Sequence, residues 1–562
     1  MFRETNLDRL RSGTPFDVLV IGGGVNGAAT FRDLSLNGVS TLLVDRRDFC
    51  AGASSASSRM AHGGLRYLEG REFRLVREST RERNRLLLHA PHLVRPLGIV
   101  VPLETVVRGF GGSMARFLGV SRRPAALSLA TMTSALAVYE AMGRAGRALP
   151  AFSLSLRPER TMPGLRRGTA ALARYHDGLI ESPEGLILEM IVEGVEANPA
   201  SAALNHVAWE AEGGAFRVAD EASGAKALVS PKVVVNAAGS AIDGVNRRLG
   251  LETALVRPVK GAHLVIRHAA LTERLGGDAV YFDDGRGRMV IMVPLGETVL
   301  MGTTEIDVAG DEPVTAAEVE YLVAAASALF DDVTVSASDV VAVTVGNRPL
   351  QAGKGDANAA RRDHLVARHA LPGAADVPVL SLVGGKWTTF RAFGEEAADA
   401  VLGSIQRRRT VETGERDYPG AAGFPRDRAA LAERVEATAQ RTGLTAARAR
   451  ALWDRYGAVA EAVADHCAAG KDAPLAAFPD HSRREIGWLC TRRAAVRLDD
   501  LVLRRTNLVL TGRMTRDALD ELAGAMADAL GRDEAWANGE AERCAAMPTI
   551  LFRPGELREM AA

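Results

Sequence analysis

The stretch FDVLVIGGGVNGAA, Phe16 to Ala29, decides the fold. Phe16 to Ile21 is a short unbroken apolar run, the pattern of a strand buried on both faces. Three glycines end it, and Asn26 to Asn37 then reads as a helix with Gly38 as its stop signal. Val39 to Val44 is a second apolar strand. Together they form a βαβ unit. Gly22, Gly24 and Gly27 match GxGxxG. The first allows a tight turn, the second lets backbone approach a pyrophosphate, and the third lets helix pack on strand. The helix N-terminus then faces the phosphates. Asp45 closes the second strand, where a carboxylate accepts a ribose hydroxyl.

Outward from this unit, KVVVNAAG (Lys232–Gly239) and VLSLVGGK (Val379–Lys386) are two more strands that end in glycine. AHLVIRH, MVIMVPL and TVLMGTTEID between them are strand-like. We therefore expect an α/β fold with a discontinuous Rossmann-like dinucleotide domain, about 14–105, 165–245 and 340–400. A strand-rich domain is inserted at about 106–164 and 246–339. Residues 401–425 are polar and turn-rich and read as a linker. Residues 426–562 carry apolar residues at helical spacing and read as an α-helical domain.

The fingerprint alone does not separate FAD from NAD. A unit near the N-terminus, completed by a distant GGK segment, favours FAD, and no second GxGxxG serves a nicotinamide. GASSASS (Gly52–Ser58) offers the hydroxyls of Ser54, Ser55, Ser57 and Ser58 to a pyrophosphate or ribityl chain.

Composition closes off other classes. The 562 residues contain 69 basic and 69 acidic side chains, so nothing global favours nucleic acid. The cysteines, Cys50, Cys467, Cys490 and Cys544, have no CxxC spacing, so no metal site is expected and free cytosolic thiols are. No signal-peptide pattern and no transmembrane run is read. The Ala125–Val138 segment reads as a core or interfacial helix, and Arg71–Arg85 as a solvated, salt-bridged face.

IGGGVNGAA, SSASS, HGGLRYLE, RPVKGAH, MGTTEID, NRPL, RRDH, GGKWTTFR and LDDLVLRRT run in this order over roughly residues 15 to 530. With them the chain resembles the FAD-dependent glycerol-3-phosphate dehydrogenase family, quinone-linked type. The resemblance implies a fold like that of glutathione reductase and D-amino-acid oxidase. It implies oxidation of sn-glycerol 3-phosphate to dihydroxyacetone phosphate by hydride transfer to flavin, with quinone as acceptor. It also implies peripheral contact with the cytoplasmic face of the inner membrane; a homodimer stays open.

In similar enzymes the GGLRYL turn lies beside the flavin, which brings His62, Gly63, Gly64 and Leu65 to the cofactor. Gly239, Gly385, Thr388 and Thr389 join them. Arg66, Tyr67, Arg348 and Lys386 become substrate contacts, since an anionic phosphate needs fixed cations. His263 becomes the base that takes the hydroxyl proton; Arg362 is a further pocket candidate. The chain departs from the family pattern at Ala262, at Thr344-Val345, at NAAGSAID and at Pro183-Glu184. Those departures leave a different polyol phosphate, such as a tetritol phosphate, as an alternative. An oxidase that uses oxygen and a non-catalytic flavin-binding protein are the other two.

Overall fold

The computed structural model describes residues 2–68, 72–108, 128–144, 146, 148–284, 288–353, 364–553 and 555; the side chains of Arg66 and Tyr67 are outside what is described. The βαβ unit forms as strand Val18–Ile21, helix Val25–Leu36 and strand Thr41–Val44. Every residue of both strands is buried, because the sheet is covered on both sides. They belong to a six-stranded sheet. Val233–Asn236 pairs parallel with the first strand, and Ala374–Val383 lies beyond it. Ala202–Leu204 forms one edge, and Leu365–Leu371 forms the other and runs antiparallel. The helix packs between Phe390–Ser404 and Pro183–Ala197. Gly394 lets one helix come close, since a Cβ there would lie 2.7 Å from that of Ala29.

The second sheet has ten strands, including Val256–Ile266 paired along its length with Val340–Gln351. Val94–Leu103 and Ala171–Ile180 are its longest other pair. These two strands and Val340–Gln351 lie within the segments that the sequence boundaries assign to the nucleotide domain; the structure pairs them with the second sheet. Their sequences, VRPLGIVVPL and ALARYHDGLI among them, mix apolar and polar residues without a strict alternation, and no local signal says which sheet they join.

Two further expectations change. Helix Phe73–His89 is solvated on one side only: Arg74, Arg77 and Arg81 are exposed, but Glu82 and Arg83 are buried. Arg83 donates to Asp177 Oδ1 at 2.7 Å, and Arg391 donates to Glu82 at 2.7 Å. Residues 401–425 are not a loose linker. Asn37 Oδ1 accepts the Thr410 and Val411 N–H groups, Arg409 pairs with Asp33, and Tyr418 is buried under Arg32. Partners hundreds of residues away hold both segments.

The C-terminal part is helical from Arg428–Thr442 to Glu534–Ala545, around Trp453, Leu489 and Leu519. It meets the nucleotide unit through one π-helical turn, Leu501–Arg505. In an ordinary α-helix, neighbouring side chains diverge by about 100°. Here Arg504 and Arg505 reach the same carboxylate. Asp48 Oδ2 accepts Arg504 Nε and, at 2.7 Å, Arg505 Nη1; Oδ1 accepts Arg505 Nη2 at 2.7 Å. Arg504 also donates to Asp499 and Asp500, and Asp500 meets His206 at 3.0 Å. Asp48, His206 and Asp500 converge as metal ligands would, but these two arginines already supply the positive charge.

A cavity between the two sheets

One cavity of about 660 Å³ runs from the glycine turn to the long antiparallel pair. At one end are Gly22, Gly24 and Asn26. Gly22 has φ +113°, and a Cβ there would lie 2.6 Å from the Ala237 carbonyl, so glycine is required. Gly27 does not line the cavity; a Cβ would meet the Gly22 carbonyl at 1.9 Å, so it is a packing glycine. Asp45 braces the turn: Oδ2 accepts the Gly23 N–H at 2.7 Å and Oδ1 the Arg47 N–H at 2.9 Å. Burial, the largest effect, raises its pKa above the usual carboxylate range, and those N–H groups pull the other way.

The serine loop closes over the helix start. Ser54 Oγ accepts the Val25 N–H at 3.1 Å, and the Ser54 carbonyl accepts Trp387 Nε1–H at 2.9 Å. Asn26 Nδ2 donates to the Gly384 carbonyl at 3.0 Å. The turn of the first unit and the GGK turn are thereby tied together. Ser57, Ser58, His62, Gly239, Gly385 and Lys386 also line the cavity. Ser55, Gly63, Gly64, Leu65, Thr388 and Thr389 do not. Gly63 instead donates to Asp177, where a Cβ would collide with the Tyr139 hydroxyl. Thr388 Oγ1 donates to the His62 carbonyl at 2.9 Å and holds that loop from behind.

At the other end stand His263 and Arg348. His263 is 2% exposed and lies on the strand Val256–Ile266. Its Nε2 is 2.8 Å from Ser58 Oγ, and Nδ1 is buried without a hydrogen-bond partner. Burial first, then the charge of Arg348, lowers its pKa to about 3, so the ring is neutral. Arg348 donates to Thr303 Oγ1 at 3.0 Å and lies 3.5 Å from Glu305. Gly302 makes room for the histidine, since a Cβ there would lie 2.2 Å from its ring.

The Arg66 and Tyr67 side chains and all of Arg362 fall outside the described residues. Pro183 and Glu184 do not line the cavity. Pro183 starts a helix, and Glu184 is buried in an ion pair with Arg59 at 3.1 Å. Sequence reading missed Arg248, whose guanidinium lies 4.0 Å over the Trp209 ring in the wall, and it missed Trp387. A tryptophan directly after the GGK turn was the available signal for the second.

The cavity fits FAD. A side-chain-free cradle meets a helix start, Asp45 sits beside it, and the buried Asn26 Oδ1 faces it without a hydrogen-bond partner.

A family model described as FAD dependent oxidoreductase matches residues 17–400. One described as the C-terminal domain of alpha-glycerophosphate oxidase matches residues 411–537. The glycerol-3-phosphate dehydrogenase of Synechocystis sp. is 33% identical over 440 residues, 73% of this chain and 74% of its own. The D-erythritol 1-phosphate dehydrogenase of Brucella abortus is 31% identical over 394 residues, 67% of this chain and 72% of its own. In fold, the chain is similar to a solved glycerol-3-phosphate dehydrogenase from Bacillus halodurans complexed with FAD. The TM-score is 0.75, at 22% identity over 99% of each chain.

Proposed function

The chain belongs to the FAD-dependent oxidoreductase family, and from that premise we propose that it oxidises sn-glycerol 3-phosphate to dihydroxyacetone phosphate. One observation carries the reading: a neutral histidine and an arginine share a cavity with the dinucleotide cradle. Gly22, Gly24, Asn26, Asp45, Ser54 and Lys386 hold the cofactor. Bound FAD supplies the hydride acceptor.

Arg348 holds the substrate phosphate, joined by Lys386 and by Arg66. His263 takes the C2 hydroxyl proton at Nε2, in the tautomer whose Nε2 is unprotonated. Ser58 donates to that nitrogen beforehand and keeps the ring in place. The charge of Arg348 depresses the proton affinity of His263. A phosphate dianion on Arg348 offsets that charge and makes the histidine a better base as substrate binds.

The acceptor is a quinone, reached by peripheral contact with a lipid surface. Val106, Val107, Leu154 and Leu156 support this reading. They are exposed at one end of the ten-stranded sheet: Val106 and Val107 follow strand Val94–Leu103, and Leu154 and Leu156 lie in and just after Ser153–Ser155, both strands flanking Ala171–Ile180. No helix among the described residues is long and apolar enough to cross a membrane.

The test is anaerobic. Purified yellow protein is mixed with sn-glycerol 3-phosphate, and in parallel with D-erythritol 1-phosphate, while the flavin absorbance is followed. Rapid bleaching by the first compound supports the reading. Bleaching by the second alone moves the enzyme to tetritol phosphates, and no bleaching by either overturns the substrate class. Peroxide release in air would replace quinone by oxygen.

A further inference from the structure

A second cavity, of about 510 Å³, opens where helices Phe2–Arg11 and Pro183–Ala197 meet the C-terminal helices Ala460–Ala468 and Arg483–Arg492. It shares no lining residue with the first cavity. Its volume lies within the range of small-molecule sites.

Arg493 is the central group. Only 7% of it is exposed, and Nη1 is buried with no hydrogen-bond partner among the described residues. Its guanidinium lies 5.3 Å from the Trp488 ring centroid. The nearby carboxylate of Glu189 does not serve it: Oε1 is taken by His92 at 2.9 Å and Oε2 by the Gly420 N–H at 3.1 Å. The backbone fixes Arg493 in place, since its N–H donates to Leu489 and its carbonyl accepts Arg505 Nε. A buried guanidinium nitrogen left without an acceptor is costly unless a ligand supplies one.

The rest of the lining favours an anion with a carbon body. Arg9, Arg492 and His466 face the same space against one acid, Glu196. Phe2, Val195 and Trp488 give it an apolar wall.

We propose that this cavity binds a phosphate group, free or on a small metabolite, with Arg493 as its principal contact and Arg492 as a second. The proposal does not rest on the reading of the first cavity. Because the Arg493 carbonyl holds Arg505, and Arg505 holds Asp48, the site is joined by hydrogen bonds to the loop that follows Asp45.

Equilibrium dialysis of the FAD-loaded enzyme tests it, with radiolabelled inorganic phosphate and with glycerol 2-phosphate as probes. Arg493→Gln and Arg492→Gln are each expected to weaken one binding site at least about tenfold, while Arg348→Met leaves that site unchanged. Arg492 is exposed, so its variant keeps the test decisive if Arg493→Gln does not fold. Tighter binding of inorganic phosphate points to free phosphate as the ligand; tighter binding of glycerol 2-phosphate points to a metabolite. No binding up to about 10 mM, binding indifferent to both arginine changes, or loss with Arg348→Met would each overturn the proposal.

Discussion

His263 Nε2 and Ser58 Oγ lie 2.8 Å apart, and this contact joins the long antiparallel sheet to the loop of the nucleotide unit. His263→Asn is expected to lower kcat by about 10²- to 10⁴-fold, the usual range for losing a general base, and to leave the flavin spectrum intact. Ser58→Ala removes only the positioning contact, and a loss of about tenfold is expected. Stopped-flow bleaching measures both. An unimpaired His263→Asn enzyme would remove the histidine from the chemistry.

Arg348 acts on substrate and on His263 together. Arg348→Met is expected to raise KM by about ten- to a hundredfold, the loss of a charge-assisted hydrogen bond. Its removal also frees the histidine to hold a proton at higher pH. The acid limb of kcat/KM should therefore move up in pH, whereas loss of phosphate binding alone would leave the limb in place.

Gly302 faces the His263 ring closely enough that a methyl group cannot be added without moving it. Gly302→Ala is expected to retain bound flavin and lose activity by about a hundredfold or more. A fully active Gly302→Ala enzyme would show that the position of the ring is unimportant.

Asp48 is 1% exposed and satisfies two arginines from the C-terminal part. Asp48→Asn leaves Arg505 buried without its paired carboxylate, while Arg504 keeps Asp499 and Asp500. The expected destabilisation is about 3–5 kcal/mol, read from denaturant midpoints. A change below about 1 kcal/mol would mean that the pair is solvated in solution.

Acid sensitivity follows from His263 and His481, both held at about 3, chiefly by burial. Below 6.5 the unfolded chain takes up protons there that the native chain refuses. Stability is therefore full above 6.5 and falls as the pH drops toward 3. Asp33 opposes this: burial raises it to about 6 from 3.8, so the native chain holds a proton in that interval that the unfolded chain sheds. His481→Leu removes one histidine, and both ring nitrogens lost are buried and unpaired. The slope of stability against pH between about 5 and 6 should flatten by about 1.4 kcal/mol per unit.

The nucleotide unit was legible because its signals are local. Gly22, Gly24, Gly27 and Asp45 do their work within one turn, one helix and two strands. The GGK turn and the strands before it were legible for the same reason. Gly27 was legible as part of the motif but not as a packing residue, which depends on how closely the helix start approaches the Gly22 carbonyl. What the sequence hid was long-range pairing. Glu184 reads as a pocket substitution until Arg59 is seen against it, and Glu82 reads as surface until Arg391 arrives from the far end of the fold. Arg504 and Arg505, with Asp499 and Asp500, lie in LDDLVLRRT, which was legible only as a stretch that carries the resemblance. Their target, Asp48, lies 457 positions from Arg505 and could not be read from spacing.

That separation has a consequence for how the protein is made. Asp48 leaves the ribosome with the dinucleotide turn, and Arg505 follows 457 positions later. Until then Asp48 has the Asn205 amide, which donates to it at 2.7 Å, but neither of the cations that balance its charge. The charge of this buried carboxylate is therefore balanced only after that whole distance has been synthesised. A truncated product that ends before Leu501 carries the whole glycine fingerprint and lacks both arginines that pair with Asp48.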